Sequence, residues 1–169
     1  MNYLLDANTL IEAKNRYYHM EICPGYWAWV IQMAGSGIVG SIKPILDELK
    51  KGNDELKEWA ITNESLFVDV TDTKTQQNYM EIAQYVAGAS SLMKPGAMND
   101  FLSGADPWLI AKAKTTNATI VTHEVFNDKT QRKFLIPNIC KLHNIRYINT
   151  FELLLMLEAK FVLSNPNQP

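Results

Sequence analysis

Asn2-Tyr3-Leu4-Leu5-Asp6-Ala7-Asn8-Thr9-Leu10 opens the chain, and the fold is decided by how it is read. A short apolar run, Tyr3-Leu4-Leu5, stops at a carboxylate. Two capping-type residues, Asn8 and Thr9, follow, and an apolar-periodic stretch runs over 10–18. The pattern predicts a buried strand that delivers Asp6 to its C-terminal edge, where a helix begins. In open α/β sheets, ligands bind outside the carboxyl ends of the strands. Two readings of Asp6 fit at this point: a cap on the following helix, or an acid belonging to a site. The choice depends on whether other carboxylates reach the same edge.

Further along, Asp106 and Glu124 repeat the motif. In Ala105-Asp106-Pro107-Trp108-Leu109-Ile110-Ala111, proline fits the first helical position, which predicts Asp106 at the N-cap. Leu109, Ile110 and Ala113 follow it at i+3, i+4 and i+7, so the carboxylate lines up with the inward stripe. Thr119-Ile120-Val121-Thr122 reads as a buried strand running into His123 and Glu124. A fourth acid comes from a helix expected to start near Ser41 as N-cap, with Pro44 in its first turn. Its stripe of Ile42, Ile45, Leu46 and Leu49 places Glu48 nearer the inner edge than Asp47.

The remaining elements alternate in the same way. Helices are expected over 26–34, 54–63, 73–93, 136–142 and 151–161. Strands are expected at 38–40 and 145–148, and 66–68 reads as a minor strand or an extended link. The segment 98–104 reads as a loop or short helical turn, and 127–133 as a polar, mostly basic loop. Strands alternating with helices imply an α/β fold, a three-layer α/β/α arrangement with a mostly parallel central sheet. All the strand C-termini then lie on one side.

At 169 residues, with 47% apolar and 20% charged residues, the chain fits one globular domain over 1–163 and a flexible tail at 164–169. The net charge of −2 advertises no nucleic-acid binding, although summed charge says nothing of its distribution. Cys23 and Cys140 are far apart and lack zinc spacing, which suits free thiols in a reducing compartment. No basic-then-apolar leader precedes Asp6, and 151–163 is too short and too charged to span a bilayer. A cytoplasmic protein is expected.

Four acids, Asp6, Glu48, Asp106 and Glu124, are thus aimed at one edge. Like charges converging on a small volume repel and raise one another's pKa, and a divalent cation removes the conflict. Oxygen-only ligation suits Mg2+ or Mn2+. One or two such ions can lower the pKa of a water and stabilise charge on a phosphoryl oxygen, which implies phosphodiester hydrolysis. Lys43, Lys50, Lys129, Arg132 and Lys133 flank the acids and could contact phosphates; ordinary surface lysines explain them equally well. No RNA-stacking motif is evident. An aspartyl-phosphate chemistry at Asp6 wants a second aspartate two residues on, where Asn8 stands. A nucleotide-binding reading fails for want of a glycine-rich loop after the first strand.

The Leu-Leu-Asp-Ala-Asn opening, the Glu48 helix, the Asp106-Pro-Trp-Leu-Ile-Ala-Lys-Ala start and the Val-Thr-His-Glu strand end together resemble the PIN-domain family. The likeness runs from the first strand to the closing helix, and is closest to a bacterial and archaeal branch related to the toxins of VapBC-type toxin–antitoxin pairs. It implies a magnesium-dependent ribonuclease with a PIN-like fold, a cognate antitoxin, and often a homodimer. On this resemblance Asp6, Glu48 and Asp106 stand for the three principal acids. Glu124 stands where an aspartate is usual, with Asp128 as a fallback, and Asn8 and Thr122 orient the acids or a water. The segment 71–104 is longer than in a minimal member. A different class also fits: a non-catalytic module whose acidic pocket engages a basic partner. Trp27-Trp29 and 153–157 are candidate dimer or antitoxin contacts.

Overall fold

The computed structural model describes residues 1–162. The expected tail at 164–169 lies outside them, as does residue 163, the end of the expected domain. Among the described residues five strands form one sheet in the order β3-β2-β1-β4-β5, with every neighbouring pair parallel.

β1 (Tyr3–Leu5) lies at the centre, and its residues pair with Val39 and Gly40 on one side and with Thr119 to Val121 on the other. A strand with a neighbour on both edges and helices on both faces is apolar throughout, which accounts for an unalternating Tyr-Leu-Leu. β1 passes into α1 (Ala7–Glu12), which widens into a π-helical turn over Ala13–Tyr17. Next come α2 (Pro24–Gly35), β2 (Val39–Ile42), α3 (Lys43–Leu49), α4 (Glu55–Thr62) and β3 (Phe67–Val68). The chain then crosses to the far side of β1 through α5 (Thr73–Ala89), α6 (Ala97–Ser103) and α7 (Asp106–Thr116) to reach β4 (Thr119–Val121). It closes with α8 (Ile136–Leu142), β5 (Tyr147–Ile148) and α9 (Thr150–Met156).

Right-handed crossovers assign α1–α4 to one face and α5–α8 to the other. The packing agrees: α1 meets α3 and α3 meets α4, while α5 lies along α7 and α7 meets α8. One apolar core fills both interlayer spaces, from Leu4, Leu10, Val30 and Ile45 to Ile82, Leu109, Ile120 and Ile139. No helix among the described residues is long and apolar enough to cross a membrane.

Several local expectations are corrected. Ser41 does not cap α3; it is a fully buried strand residue whose hydroxyl donates to the Leu5 carbonyl at 2.8 Å. That bond ties β2 to β1 just below Asp6. Asp106 is the first residue of α7 rather than its N-cap, a position held by Ala105, and Pro107 is at the second position. Trp27 is not a surface contact: it is 4% exposed, and its indole N–H donates to the Tyr18 carbonyl at 2.7 Å. Leu153 and Leu154 are also core, whereas Leu155 and Met156 are exposed and Trp29 is half-buried. The closing helix ends at Met156, where Glu158 adopts a left-handed φ of 51°.

Candidate functional site

The strand order reverses between β1 and β4, since the chain leaves β1 in one direction and arrives at β4 from the other. In doubly wound sheets the ligand crevice forms at this switch point, beyond the strand C-termini. Asp6 follows β1 and Thr122 follows β4, placing them side by side there. The Thr122 hydroxyl donates to Asp6 Oδ2 at 2.9 Å and accepts from the Glu124 backbone N–H at 3.1 Å. Asp6 is 1% exposed and Thr122 is 2% exposed, so this bond lies in the interior.

Asp6 occupies the N-cap position of α1, but its side chain makes no cap hydrogen bond to the N–H groups two and three residues on. Burial pushes its pKa up to about 6; the Thr122 hydroxyl opposes the rise, Glu124 adds to it by repulsion, and the backbone N–H groups of Asn8 and Ala7 oppose it weakly. Asp106 is pushed further, to about 7. Burial is again the largest cause. Repulsion by Asp6, Glu124 and Glu48 follows in that order, and Lys133 counteracts it. The four acids therefore share one electrostatic neighbourhood, contributed by β1, α3, α7 and the end of β4.

The two glutamates are braced by backbone. Glu48 Oε1 accepts from the Ala105 N–H at 2.8 Å, joining α3 to the residue that precedes Asp106. Glu124 Oε2 accepts from the Ile136 N–H at 2.8 Å, at the start of α8, and its other oxygen binds the Lys133 ammonium. Among the described residues, no three Asp, Glu, His or Cys side chains form a ready ligand set in this arrangement. Yet Asp6 and Asp106 hold raised pKa values beside two further carboxylates, and that strain would be relieved by a hard cation. These four acids are the residues that could hold one, with Glu48 and Glu124 exchanging a backbone partner for it.

The other expected residues are placed less centrally. Asn8 is exposed in the first turn of α1. Asp128 is exposed and lines a separate cavity of about 330 Å³ with Lys129, Tyr85 and Leu92. Lys43 pairs with Asp69 at 3.0 Å and Lys50 with Glu64 at 3.9 Å rather than with a site acid. Arg132 is exposed. Of the five basic residues, Lys133 is the one bound to a site acid. His123 turns its Nε2 to the Thr150 hydroxyl at 3.0 Å. Sequence reasoning missed the backbone donors of Ala105 and Ile136, because a peptide N–H carries no residue signature. It also missed the pairing of Lys133 with Glu124, nine positions apart on a loop without periodicity.

A solved chain resembles this one over most of both lengths. It belongs to the crystal structure of VapBC2 from Rickettsia felis bound to a DNA fragment from their promoter. The superposition has a TM-score of 0.53 and covers 88% of this chain and 98% of that one, at 18% sequence identity. At that identity the likeness is one of fold, and it makes the architecture described above PIN-like. No curated protein matches the sequence. A family model described as a domain of unknown function, DUF4411, matches residues 3–161, and the chain belongs to that family.

Proposed function

We propose that the protein is an endoribonuclease that hydrolyses RNA phosphodiester bonds with a divalent cation, Mg2+ or Mn2+, and acts as the toxin of a toxin–antitoxin pair. One observation carries this reading: buried Asp6 and half-buried Asp106 lie beyond the strand C-termini near enough for Asp6 to raise the pKa of Asp106, with Glu124 and Glu48 adding to the repulsion. A fold shared with a VapBC2 chain supports it. A bound ion would supply Lewis acidity at a phosphoryl oxygen and a more acidic water. The chain's own residues prepare the site. Asp6, Glu48, Asp106 and Glu124 supply oxygen ligands, Thr122 orients the Asp6 carboxylate, and Lys133 is poised to pass from Glu124 to a substrate phosphate. The partners that go with this reading are RNA, an antitoxin and a second copy of the chain, in the cytoplasm.

The test is Asp106→Asn. Magnesium-dependent cleavage of single-stranded RNA is expected to be lost, with circular dichroism unchanged. Undiminished cleavage would remove Asp106 from the mechanism. The second reading, a non-catalytic module, draws on the ion pair between Lys133 and Glu124, in which a basic side chain already occupies part of the acid site. Calorimetric titration with Mn2+ separates the two. Binding in the absence of any partner favours the nuclease, and no heat at millimolar metal favours the module.

A further inference from the structure

Glu124 is held by two donors of different kinds. The Ile136 N–H at 2.8 Å is backbone, whereas the Lys133 ammonium ends a loop side chain. The ion pair is lopsided in exposure: the Glu124 side chain is 9% accessible and that of Lys133 is 60%. Lys133 can therefore turn to water at little cost. Glu124 cannot follow it, and a carboxylate oxygen left unpaired away from solvent is costly. A second positive charge must take the place of the ammonium. Lys133 also lines the cavity of about 330 Å³ that Asp128 lines. Part of its wall is Tyr85 and Ala89 of α5, inside the long segment 71–104. The exposed Lys129 is a second cation there, so two lysines face one carboxylate, that of Asp128, and the lining is net positive. The same lysine thus borders an anion-attracting space and occupies one oxygen of the acid site.

We propose that this cavity binds a phosphate group, and that a phosphate bound there draws the Lys133 ammonium off Glu124 and opens the acid site to its cation. The inference rests on the nuclease reading and adds how the site is switched on. Lys133 and a cation compete for the same Glu124 oxygen, so a cation arriving alone must displace an internal ion pair. A phosphate on Lys133 ends that competition. The coupling is reciprocal: the phosphate raises the affinity for the cation by the factor with which the cation raises the affinity for the phosphate. A basic patch that merely attracted RNA would show no such linkage, because its lysines would touch no acid of the site. Lys133 does touch one, and the exposed Lys129 gives the incoming anion a second contact. The phosphate can come from an RNA backbone or from a free phosphodiester, which present the same oxygens.

The experiment titrates the full-length protein with Mn2+ by calorimetry, alone and with each of two probes that resist cleavage. One is a short 2′-O-methyl phosphorothioate oligonucleotide and the other is dimethyl phosphate. The oligonucleotide should tighten Mn2+ binding roughly tenfold, and saturating Mn2+ should tighten oligonucleotide binding by the same factor. An equal effect of dimethyl phosphate would support a site that accepts any phosphodiester, and an effect of the oligonucleotide alone would support a site for the RNA backbone. Lys133→Gln should bind Mn2+ at the tighter value without any probe and lose the coupling, whereas Lys133→Arg should keep it. Lys129→Gln should weaken oligonucleotide binding and leave the Mn2+ affinity of the free protein unchanged. Failure of both probes to bind would overturn the proposal, as would a Mn2+ affinity that a bound probe does not alter or full coupling in folded Lys133→Gln. Tighter Mn2+ binding with a glutamate peptide but with neither probe would overturn the phosphate assignment. None of these readouts needs turnover. RNA cut without coupling would leave the nuclease and remove the switch, and coupling in a protein that cuts no RNA would do the reverse.

Discussion

A single hydroxyl decides how Asp6 presents its charge. The Thr122 Oγ1 donates to Asp6 Oδ2 and accepts from the Glu124 N–H, so one atom fixes two acids at once. Groups that orient ligating carboxylates typically contribute 10- to 100-fold in metal affinity or activity. Thr122→Val keeps the shape and removes both bonds. It is expected to lower RNA cleavage by about 10- to 100-fold while the protein stays folded. The rate at saturating Mg2+ and the Mn2+ affinity report the loss, and a valine variant with native values for both would show that Asp6 is positioned without its help. The variant should also raise the Asp6 pKa further, since the hydroxyl is what opposes burial there. Thr122 was legible beforehand only as a polar residue at a strand end. Its bond to Asp6 spans 116 positions, and nothing local encodes such a distance.

At the scale of elements, sequence periodicity located the helix α3 and the direction of its acid. Glu48 is half-buried and Asp47 exposed, as the stripe of Ile45, Leu46 and Leu49 requires. Chemistry that is locally ambiguous was misassigned. A serine at the end of a strand can cap a helix or bond a neighbouring carbonyl, and Ser41 does the second. An Asp-Pro pair starts a helix in either register, and Asp106 lies one residue further inside than a cap would. The strand-then-helix junction before α9 carries the best-formed cap. The Asn149 side chain accepts from the Glu152 N–H at 2.9 Å, and Glu152 returns a bond to the Asn149 N–H at 2.8 Å. Asn149→Ala should cost about 1 kcal/mol. In a domain of this size that is a fall in Tm of roughly 2–4 °C, read by thermal unfolding.

The whole molecule gathers its acids through topology. The order β3-β2-β1-β4-β5 follows from one long crossover between β3 and β4, which no local pattern encodes; only strand ends bearing acids were readable. With that crossover made, buried Asp6 and half-buried Asp106 become neighbours, and the protein's stability becomes linked to pH. Both carboxyls have pKa values above those of the unfolded chain, at about 6 and about 7. Between the ordinary aspartate value and these raised ones, the folded state binds more protons than the unfolded state. Stability from these groups is therefore fully present below about pH 4 and is lost as pH rises through 6 and 7. In EDTA, the Tm contribution of the pair should fall from pH 5 to pH 8, and Asp6→Asn combined with Asp106→Asn should flatten that part of the profile. A cation that binds only the folded, ionised site acts in the opposite sense. At a hundred times its Kd it adds about 2.7 kcal/mol, so Mg2+ or Mn2+ should raise Tm by several degrees at pH 8 and by much less at pH 5, where protons hold the same oxygens. Thermal unfolding across a pH and metal grid measures both slopes together. A metal-induced rise of equal size at both pH values would mean that the ion binds away from Asp6 and Asp106.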